Sequence, residues 1–308
     1  MQPPFRVPPV VLCLLGCVAL AGCAAASEAE DAIPTGRGGG GAPHAELHAP
    51  EKEPPVISAE EPAAAEPLPQ AEGIAARPAW LGTRILPLRA DGFGEIQPTP
   101  PELEDRRLPP PPDGLPPPAG AEYAASVQAV PDEVAQRSTW APHCPVARED
   151  LRYVTVSFWG FDERPHTGEL LVHERVADAM VEVFRRIYDA RFPIEEMRVI
   201  TPAELDAPPT GDGNTTTAFV CRPTVTSGSW SQHAYGLAVD INPFHNPYLK
   251  GDIVVPELAS AYLDRDRHRP GMIQPGDVVT RAFAGLGWPW GGNWSSAKDW
   301  MHFSHNGR

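Results

Sequence analysis

Proline divides this chain into two parts. Residues 24–131 contain 21 prolines in 108 positions, whereas residues 132–308 contain 14 in 177. Because proline fixes φ and has no backbone N–H, it interrupts helices and the interior of sheets. The first part also holds 17 acidic against 7 basic residues, and such a composition buries too little apolar surface to fold by itself. We therefore expect one compact domain, in the second part.

The first 22 residues have the features of an export signal. Arg6 precedes an apolar run from Val10 to Ala21, which is too short to span a bilayer and is typical of a secretory signal. The sequence Leu-Ala-Gly-Cys at 20–23 resembles the lipobox of bacterial lipoproteins, which implies lipidation of Cys23. We expect a protein of the bacterial cell envelope, anchored to a membrane through this residue. An ordinary secretory signal with an incidental cysteine is the alternative.

The proline-rich part divides again by its apolar content. Residues 23–79 consist mainly of Ala, Pro, Glu and Gly, which predicts a disordered tether. Residues 80–131 are predicted to form an extended strap on the domain, because the segment from Trp80 to Leu88 carries large apolar side chains that a tether does not need. An unstructured spacer is the alternative here. The domain itself is predicted at 132–308.

The charge of the chain excludes one class of partner. The net charge is −15 at neutral pH, and no basic run is present that could neutralise phosphates. We therefore expect no nucleic-acid partner, and we expect a monomer.

Hydrophobic periodicity gives the fold class of the domain. Alternation over 152–158 predicts a strand, and apolar residues recurring with helical spacing between His173 and Phe192 predict a helix. Short strands are predicted at 198–200, 218–222, 237–241 and 300–304, and a second helix at 278–286. Because helices and strands do not alternate regularly, we predict an α+β fold, with a small mixed or antiparallel sheet and flanking helices.

The segment 231–242 contains the strongest local signal. If a strand begins at Leu237, Asp240 faces away from Val239 and Ile241, on the side of small or polar neighbours. Gly236 permits a turn that would bring His233 back beside Asp240. A histidine and a carboxylate placed together are ligands for a first-row metal.

A second group of candidate ligands lies at 299–303. As a strand, this segment would bury Met301 and Phe303 and direct Trp300 and His302 to the other face. Together the two segments supply two histidines and one aspartate as ligands, with one spare carboxylate. A catalytic zinc site has three protein ligands and an open fourth position, so we expect one zinc ion per chain.

The motifs SxHxxGxAxDI (231–241) and DWxHF (299–303) resemble those of the zinc peptidases of the VanX/VanY D-alanyl-D-alanine carboxypeptidase and L-alanyl-D-glutamate endopeptidase group. The resemblance extends over about 135–308 and implies the fold shared with the Hedgehog signalling domain. By position, it implies that His233, Asp240 and His302 bind zinc and that Asp299 is the general base. It also implies that Arg222 faces the scissile carbonyl. Ser231 and Tyr235 are implied to lie near the substrate.

The same resemblance implies a hydrolase acting on peptidoglycan stem peptides with metal-activated water. It does not distinguish D,D-carboxypeptidase, L,D-carboxypeptidase and L-alanyl-D-glutamate endopeptidase activity. A non-catalytic envelope-binding module that retains zinc is the alternative from another class, and hydrolysis of peptides outside the wall stays open. The sequence has no Gly-x-Ser-x-Gly elbow and no His-Glu-x-x-His motif.

The remaining cysteines and histidines receive structural interpretations. In an oxidising compartment Cys144 and Cys221 are expected to form a disulfide, with two unpaired thiols as the alternative. Six further histidines are expected at the surface or in structural roles, namely His143, His166, His173, His245, His268 and His305. Of these, His305 is close enough to His302 to be an alternative ligand. Tryptophans at 288, 290 and 294 either line a substrate cleft or form the core of a loop.

Overall fold

A computed structural model describes residues 74–112, 114–224 and 228–308. The expected signal peptide, Cys23 and residues 23–73 of the expected tether lie outside the described residues. Within the described ranges, no helix is long and apolar enough to cross a membrane.

Helices and short strands follow one another without regular alternation, as expected for α+β. The strands are β1 (Ala125–Ala129), β2 (Leu151–Trp159), β3 (Pro165–His173), β4 (Glu196–Met197), β5 (Thr215–Thr216), β6 (Ala238–Asp240), β7 (Tyr248–Lys250), β8 (Ile253–Val255), β9 (Lys298–Asp299) and β10 (His302–Ser304). The α-helices are α1 (Pro101–Glu104), α2 (Asp132–Arg137), α3 (Glu174–Asp189), α4 (Pro202–Leu205) and α5 (Val278–Gly285). Short 3₁₀ turns lie at Arg148–Asp150, Gln232–Tyr235, Ser260–Leu263 and Gly291–Asn293.

The strands form four small sheets, three of them antiparallel. β2 lies between β1 and β3, and β7 lies between β8 and β9. β6 pairs with β10, so that His302 is opposite Asp240. Only β4 and β5 are parallel among the strands that the structure describes. The β6–β10 pair is the one that brings the two sequence motifs together.

The β1–β2–β3 sheet has a hydrophobic core on each face. On one face, Val154, Val156 and Phe158 pack against the apolar side of α3, in the main core. On the other, Leu151 and Tyr153 are buried in a second cluster. The predicted alternation is therefore present, but the face expected to be polar is half covered, because Tyr153 has its own apolar partners. The predicted helix is confirmed as α3.

Three predicted strands are displaced. Residues 198–200 and 218–222 have no regular structure, and the strands lie instead at β4 and β5. The predicted strand at 300–304 is split by a turn at Trp300 and Met301. The turn forms because the Trp300 ring packs into the main core, while the Trp300 carbonyl accepts a hydrogen bond from Trp290 Nε1 at 2.8 Å. Trp300 therefore does not share a face with His302, and the prediction was wrong on this point.

β6 is also shorter than predicted. It ends at Asp240 because Asn242 adopts a positive φ of 45°. The Asn242 carboxamide is committed to the backbone, accepting from Glu195 N at 3.2 Å and donating to the Pro193 carbonyl at 2.8 Å. Asn242 is therefore a buried structural residue. Strand alternation in the sequence would place it on the same face as Asp240, and the structure does not.

The segment predicted as a strap, 80–131, packs on the domain but is not extended throughout. It contains α1 and β1, and β1 is part of the β1–β2–β3 sheet. Leu86, Leu103 and Leu108 are buried in a third cluster together with Phe244, Leu258, Ala259, Tyr262 and Met272. A domain boundary at 132 would therefore cut through one folded unit.

A buried ion pair links this strap to the domain. Arg106 Nε lies 2.7 Å from Glu195 Oε2, and both side chains are 1% exposed. Arg77 and Asn214 also contact the Glu195 carboxylate, at 3.0 and 2.7 Å. Burial opposes ionisation of Glu195, but the charge and hydrogen bonds of Arg106 hold its pKa below the ordinary value. Because Glu195 N donates to the side-chain Oδ1 of Asn242, this pair lies beside the residue two positions beyond Asp240.

Candidate metal centre

Strand pairing sets two of the three expected ligands face to face. Asp240 ends β6, His302 begins β10, and the antiparallel register places them directly opposite each other. Their contact is a 2.9 Å approach of His302 Nδ1 to Asp240 Oδ1, across 62 residues of sequence. The apolar neighbours Val239 and Phe303 pair beside them and are fully buried in the core, which fixes the two polar side chains on the opposite face.

A capped 3₁₀ turn supplies the third expected ligand. Ser231 Oγ accepts a hydrogen bond from His233 N at 3.3 Å, and Gly236 ends the turn with a φ of 66°. A Cβ at Gly236 would lie 2.6 Å from His173 N, so the position requires glycine for both its conformation and its space. The turn brings His233 Nε2 to 3.1 Å from Asp240 Oδ2 and 3.2 Å from His302 Nδ1.

The outer ring nitrogens fix the tautomers of both histidines. His233 Nδ1 donates to the Ala218 carbonyl at 2.5 Å, and His302 Nε2 donates to the Arg308 carbonyl at 3.2 Å. Each neutral imidazole then presents its lone pair inward. Two imidazole lone pairs and a carboxylate converge, and such acceptors repel one another unless a proton or a cation lies between them.

This donor set fits a metal ion. The ligand atoms of His233, Asp240 and His302 all lie within 4.8 Å of one another, and both histidines are buried. Imidazole and carboxylate are ligands that zinc accepts, and a backbone carbonyl on the outer nitrogen is the usual arrangement around such a histidine. The sequence could not indicate the Ala218 and Arg308 carbonyls, because any residue type supplies this atom.

The charges of the three side chains act on one another strongly. Burial would raise the pKa of Asp240, but His233 and His302 hold it well below the ordinary value. Burial likewise opposes charging of His302, and the hydrogen bond and charge of Asp240 raise its pKa. The site therefore favours an ionised carboxylate beside positive charge.

Asp299 lies next to this group with an unsatisfied oxygen. It sits in β9, which is held by pairing of Asp299 with Tyr248. Its Oδ1 is buried, and no described residue donates a hydrogen bond to it. Burial raises the pKa of Asp299 to about 7, where the charge of His302 opposes the rise and that of Asp240 adds to it.

Arg222 lies near the same carboxylate. Its side chain is half-buried, and Nη1 donates to the Pro223 carbonyl at 3.4 Å, a long hydrogen bond. Its charge lowers the pKa of Asp299, against the larger effect of burial. The guanidinium is therefore close to Asp299 without being held by a strong partner.

The two expected substrate residues differ in their surroundings. Ser231 is buried, and its hydroxyl caps the turn that carries His233. Tyr235 is half-buried and packs against the main core. Ser231 thus has a positioning contact in this structure, and substrate contact by either residue stays a prediction.

The other residues that the sequence suggested for the site differ in how close they lie to the three expected ligands. His305 is exposed and lies outside the group of three ligands. Trp288 and Trp290 are buried in the main core, while the Trp294 ring lies 5.6 Å from the His302 ring. The loop interpretation therefore holds for the first two tryptophans, and Trp294 lies beside the candidate site.

Two contacts were missed in the sequence. Lys298 Nζ donates to the Trp294 carbonyl at 2.7 Å and to the Gly292 carbonyl at 3.1 Å, which fixes the Trp294 loop against β9. The only feature of the sequence that could have indicated this role for Lys298 is its position next to Asp299. His166 pairs with Asp162 at 3.0 Å, although no carboxylate partner was expected for it; the pair is four residues apart and structural.

Cys144 and Cys221 are joined by a disulfide. His143 lies close to the two sulfur atoms, but sulfurs bonded to each other are not metal ligands, so this second group has no metal-binding role in the oxidised protein.

Comparison with known proteins gives one match. No curated protein and no solved structure matches the chain. Residues 224–305 match the model of a protein family described as D-alanyl-D-alanine carboxypeptidase. The matched segment contains His233, Asp240, Asp299 and His302, and it begins after Arg222. The resemblance that the two motifs indicate is therefore confirmed over residues 224–305, which are similar to the D-alanyl-D-alanine carboxypeptidase family.

Proposed function

We propose that this protein is a zinc metallopeptidase that hydrolyses peptide bonds in peptidoglycan stem peptides. The bond is of the D-alanyl-D-alanine carboxypeptidase or the L-alanyl-D-glutamate endopeptidase type, and the fold is that of the Hedgehog and D,D-peptidase group. One observation carries the proposal: three inward-facing ligand atoms converge beside a buried carboxylate oxygen that has no hydrogen-bond partner among the described residues.

His233, Asp240 and His302 would hold the metal. Three protein ligands leave a position open, as in catalytic zinc sites. Zinc in such a site supplies a Lewis acid that lowers the pKa of water to about 7 and polarises a carbonyl group. The Ala218 and Arg308 carbonyls keep the two imidazoles in the tautomers that this requires.

Asp299 acts as the general base. Its free Oδ1 can accept a proton from the attacking water and return it to the leaving amine. An opposite charge beside a carboxylate lowers its pKa, so Asp299 would be ionised at neutral pH in the loaded protein despite the rise to about 7 that burial causes. Burial serves this role, because a base with a pKa near the working pH transfers protons most effectively.

Arg222 stabilises the negative charge that develops on the carbonyl oxygen of the substrate. Its guanidinium carries a fixed charge, lies near Asp299 and has no carboxylate partner among the described residues. A cation at this point stabilises the transition state most, because the oxygen is most negative there.

The alternative, a binding module that keeps zinc only for structure, explains less. A closed structural site needs no base at its edge. Burying Asp299 Oδ1 without a hydrogen-bond donor among the described residues destabilises the folded protein. A purely structural site offers no function that would explain this cost.

We further propose that the protein is exported, anchored through a lipid on Cys23, and monomeric. The Cys144–Cys221 disulfide supports export, because disulfides persist in oxidising compartments. The proline-rich tether would then hold the domain at a distance from its membrane.

Digestion of purified peptidoglycan by the full chain tests the proposed function. We expect soluble products that disappear when a chelator removes the metal and return when zinc is added. Their masses identify the bond: loss of one alanine from a pentapeptide stem indicates D,D-carboxypeptidase activity, whereas free stem peptide lacking its first alanine indicates endopeptidase activity. Wall binding without any product would favour the binding module, and products that persist with chelator would contradict a zinc mechanism.

Removal of a proposed ligand should remove the metal. We expect His302→Ala to lose bound zinc and, with it, all measurable hydrolysis, since two remaining ligands hold the ion too weakly. Metal content after dialysis, measured by atomic emission, checks this. His305→Ala is the matched control, because His305 is exposed and three residues away. Equal zinc content in both variants would contradict the assigned ligand.

A further inference from the structure

We propose that the Cys144–Cys221 disulfide is a positioning element of the metal centre, setting metal affinity and catalytic rate through His233 and Arg222. This extends the proposed function and rests on it only for the catalytic part. The inference starts from one segment, residues 218–222, which carries the second cysteine. We call it the 218–222 segment.

The 218–222 segment surrounds the ligand His233 with backbone contacts. The Ala218 carbonyl accepts from His233 Nδ1 at 2.5 Å, and Val220 N donates to the His233 carbonyl at 3.3 Å. The Arg222 carbonyl accepts from Ser231 N at 3.2 Å, at the cap of the turn that carries His233. Three contacts thus determine where His233 lies and which nitrogen faces the metal.

The segment has no regular secondary structure of its own, so it depends on external attachments. One is the bridge between Thr217 and Asp240 at its beginning. Two more are at Cys221, whose sulfur is bonded to Cys144 and whose N–H donates to Thr139 Oγ1 at 2.9 Å. The end of the segment is therefore fastened one residue before Arg222, by a covalent bond and a buried hydrogen bond.

The partner side of the disulfide is itself held in place. Cys144 N donates to the Ala141 carbonyl at 2.9 Å, and Trp140 Nε1 donates to the Val146 carbonyl at 3.1 Å. Cys221 and Val134 belong to one buried cluster, which Trp140 and Cys144 contact. The disulfide thus connects the residue before Arg222 to a loop that is packed and hydrogen-bonded.

A disulfide that closes a loop of this length, 77 residues, is expected to stabilise the fold by restricting the unfolded chain. Stabilisation alone would leave the properties of the folded site unchanged. Here the bond lies beside Arg222 and near the acceptor of a ligand histidine. Removing the hydrogen-bond partner of a metal ligand costs about 10- to 100-fold in metal affinity or activity, and loss of the disulfide should displace such a partner, the Ala218 carbonyl.

The test uses the full chain with Cys144→Ala and Cys221→Ala together. Alanine avoids new thiols that could capture metal with His143. At a temperature where the variant is folded by circular dichroism, we expect about tenfold weaker zinc affinity and about tenfold lower kcat at saturating zinc, with little change in KM. In the cobalt-substituted protein, we expect altered position or intensity of the visible absorption bands.

Val134→Ala is the matched control, because Val134 is buried in the same cluster but lies on α2. We expect it to lower the melting temperature while leaving zinc affinity, the cobalt spectrum and kcat within twofold. The same pattern in the double cysteine variant would overturn the proposal, since the disulfide would then act on stability alone.

The readouts separate this proposal from the proposed function. If the unaltered chain binds zinc but cleaves no wall peptide, the proposed function fails, while zinc affinity and the cobalt spectrum still decide whether the disulfide positions His233. If the unaltered chain cleaves and the double variant keeps its metal affinity, spectrum and rate, only the disulfide proposal fails.

Discussion

Asp299→Asn should lose hydrolysis by about a thousandfold in kcat while keeping one zinc ion per chain, because a positioned general base contributes about 10²- to 10⁴-fold. Asparagine preserves the volume of the side chain and its place in β9, but its amide cannot take up a proton at neutral pH. The ligands His233, Asp240 and His302 remain intact. The measurements are kcat and KM on a stem peptide, together with metal content.

Asp178→Asn is the control for this substitution. Asp178 is exposed on α3, away from the candidate site, and loses the same charge. We expect its kcat and its zinc content to equal those of the unaltered chain. If Asp299→Asn hydrolyses at the rate of Asp178→Asn, Asp299 is not the base, and the unsatisfied Oδ1 needs another explanation. If it loses zinc instead, Asp299 is a ligand and the set of three is incomplete.

The composition of this candidate site could be predicted from the sequence because the expected ligands lie in two short motifs. Period-two alternation predicted that Asp240 lies on the other face of the strand from the buried Val239, and Gly236 predicted the turn that follows His233. What the sequence could not supply is the pairing of β6 with β10, since nothing local connects residues 62 positions apart. It also could not place the Ala218 carbonyl, which depends on where an irregular segment runs.

The strands predicted at 198–200, 218–222 and 300–304 were misplaced for a common reason. Each contains apolar residues that are buried although their own backbone lies in a loop or a turn and is not paired in a sheet. Phe219 fills the second cluster without strand pairing, and Trp300 fills the main core from a turn. Burial from an irregular backbone leaves the same local pattern as a short strand, so periodicity cannot distinguish the two.

The strap shows a different limit of sequence reasoning. Its apolar residues indicated contact with the domain, but Arg106 and Glu195 gave no such signal. Charged residues are usually exposed, and this pair lies 89 residues apart. Only the fold reveals that an arginine from the proline-rich part neutralises a carboxylate inside the domain.

Arg106→Met should therefore destabilise the protein by roughly 3–5 kcal/mol at pH 7, since it removes the fully buried cation beside Glu195 and leaves only the partly exposed Arg77 to balance this buried charge. Methionine keeps much of the volume of the side chain, so the loss reports charge and hydrogen bonds more than packing. Denaturant-induced unfolding, followed by tryptophan fluorescence, gives the free energy of unfolding. Arg107→Met is the control, because Arg107 is the next residue and its side chain is exposed. Substitutions of exposed side chains usually change the free energy of unfolding by no more than about 0.5 kcal/mol.

The pH dependence of the unfolding free energy of Arg106→Met tests the same ion pair in a second, independent way. In the unaltered chain the pKa of Glu195 lies below its ordinary value of 4.5, so its stabilising contribution is present above that value and is lost as pH falls through the folded-state pKa. Without Arg106, burial dominates and raises this pKa, although Arg77 remains at 3.0 Å. Glu195 then takes up a proton on acidification and the variant regains stability relative to the unaltered chain.

The difference in unfolding free energy between the two proteins should thus shrink between pH 7 and pH 5. A difference that stays constant over this range would mean that Glu195 keeps its charge through Arg77 and Asn214. A loss at pH 7 no larger than that of Arg107→Met would mean that the ion pair does not anchor the strap. The strap would then be held by its other contacts with the domain, which include the buried side chains of Leu86, Leu103 and Leu108 and the pairing of β1 with β2.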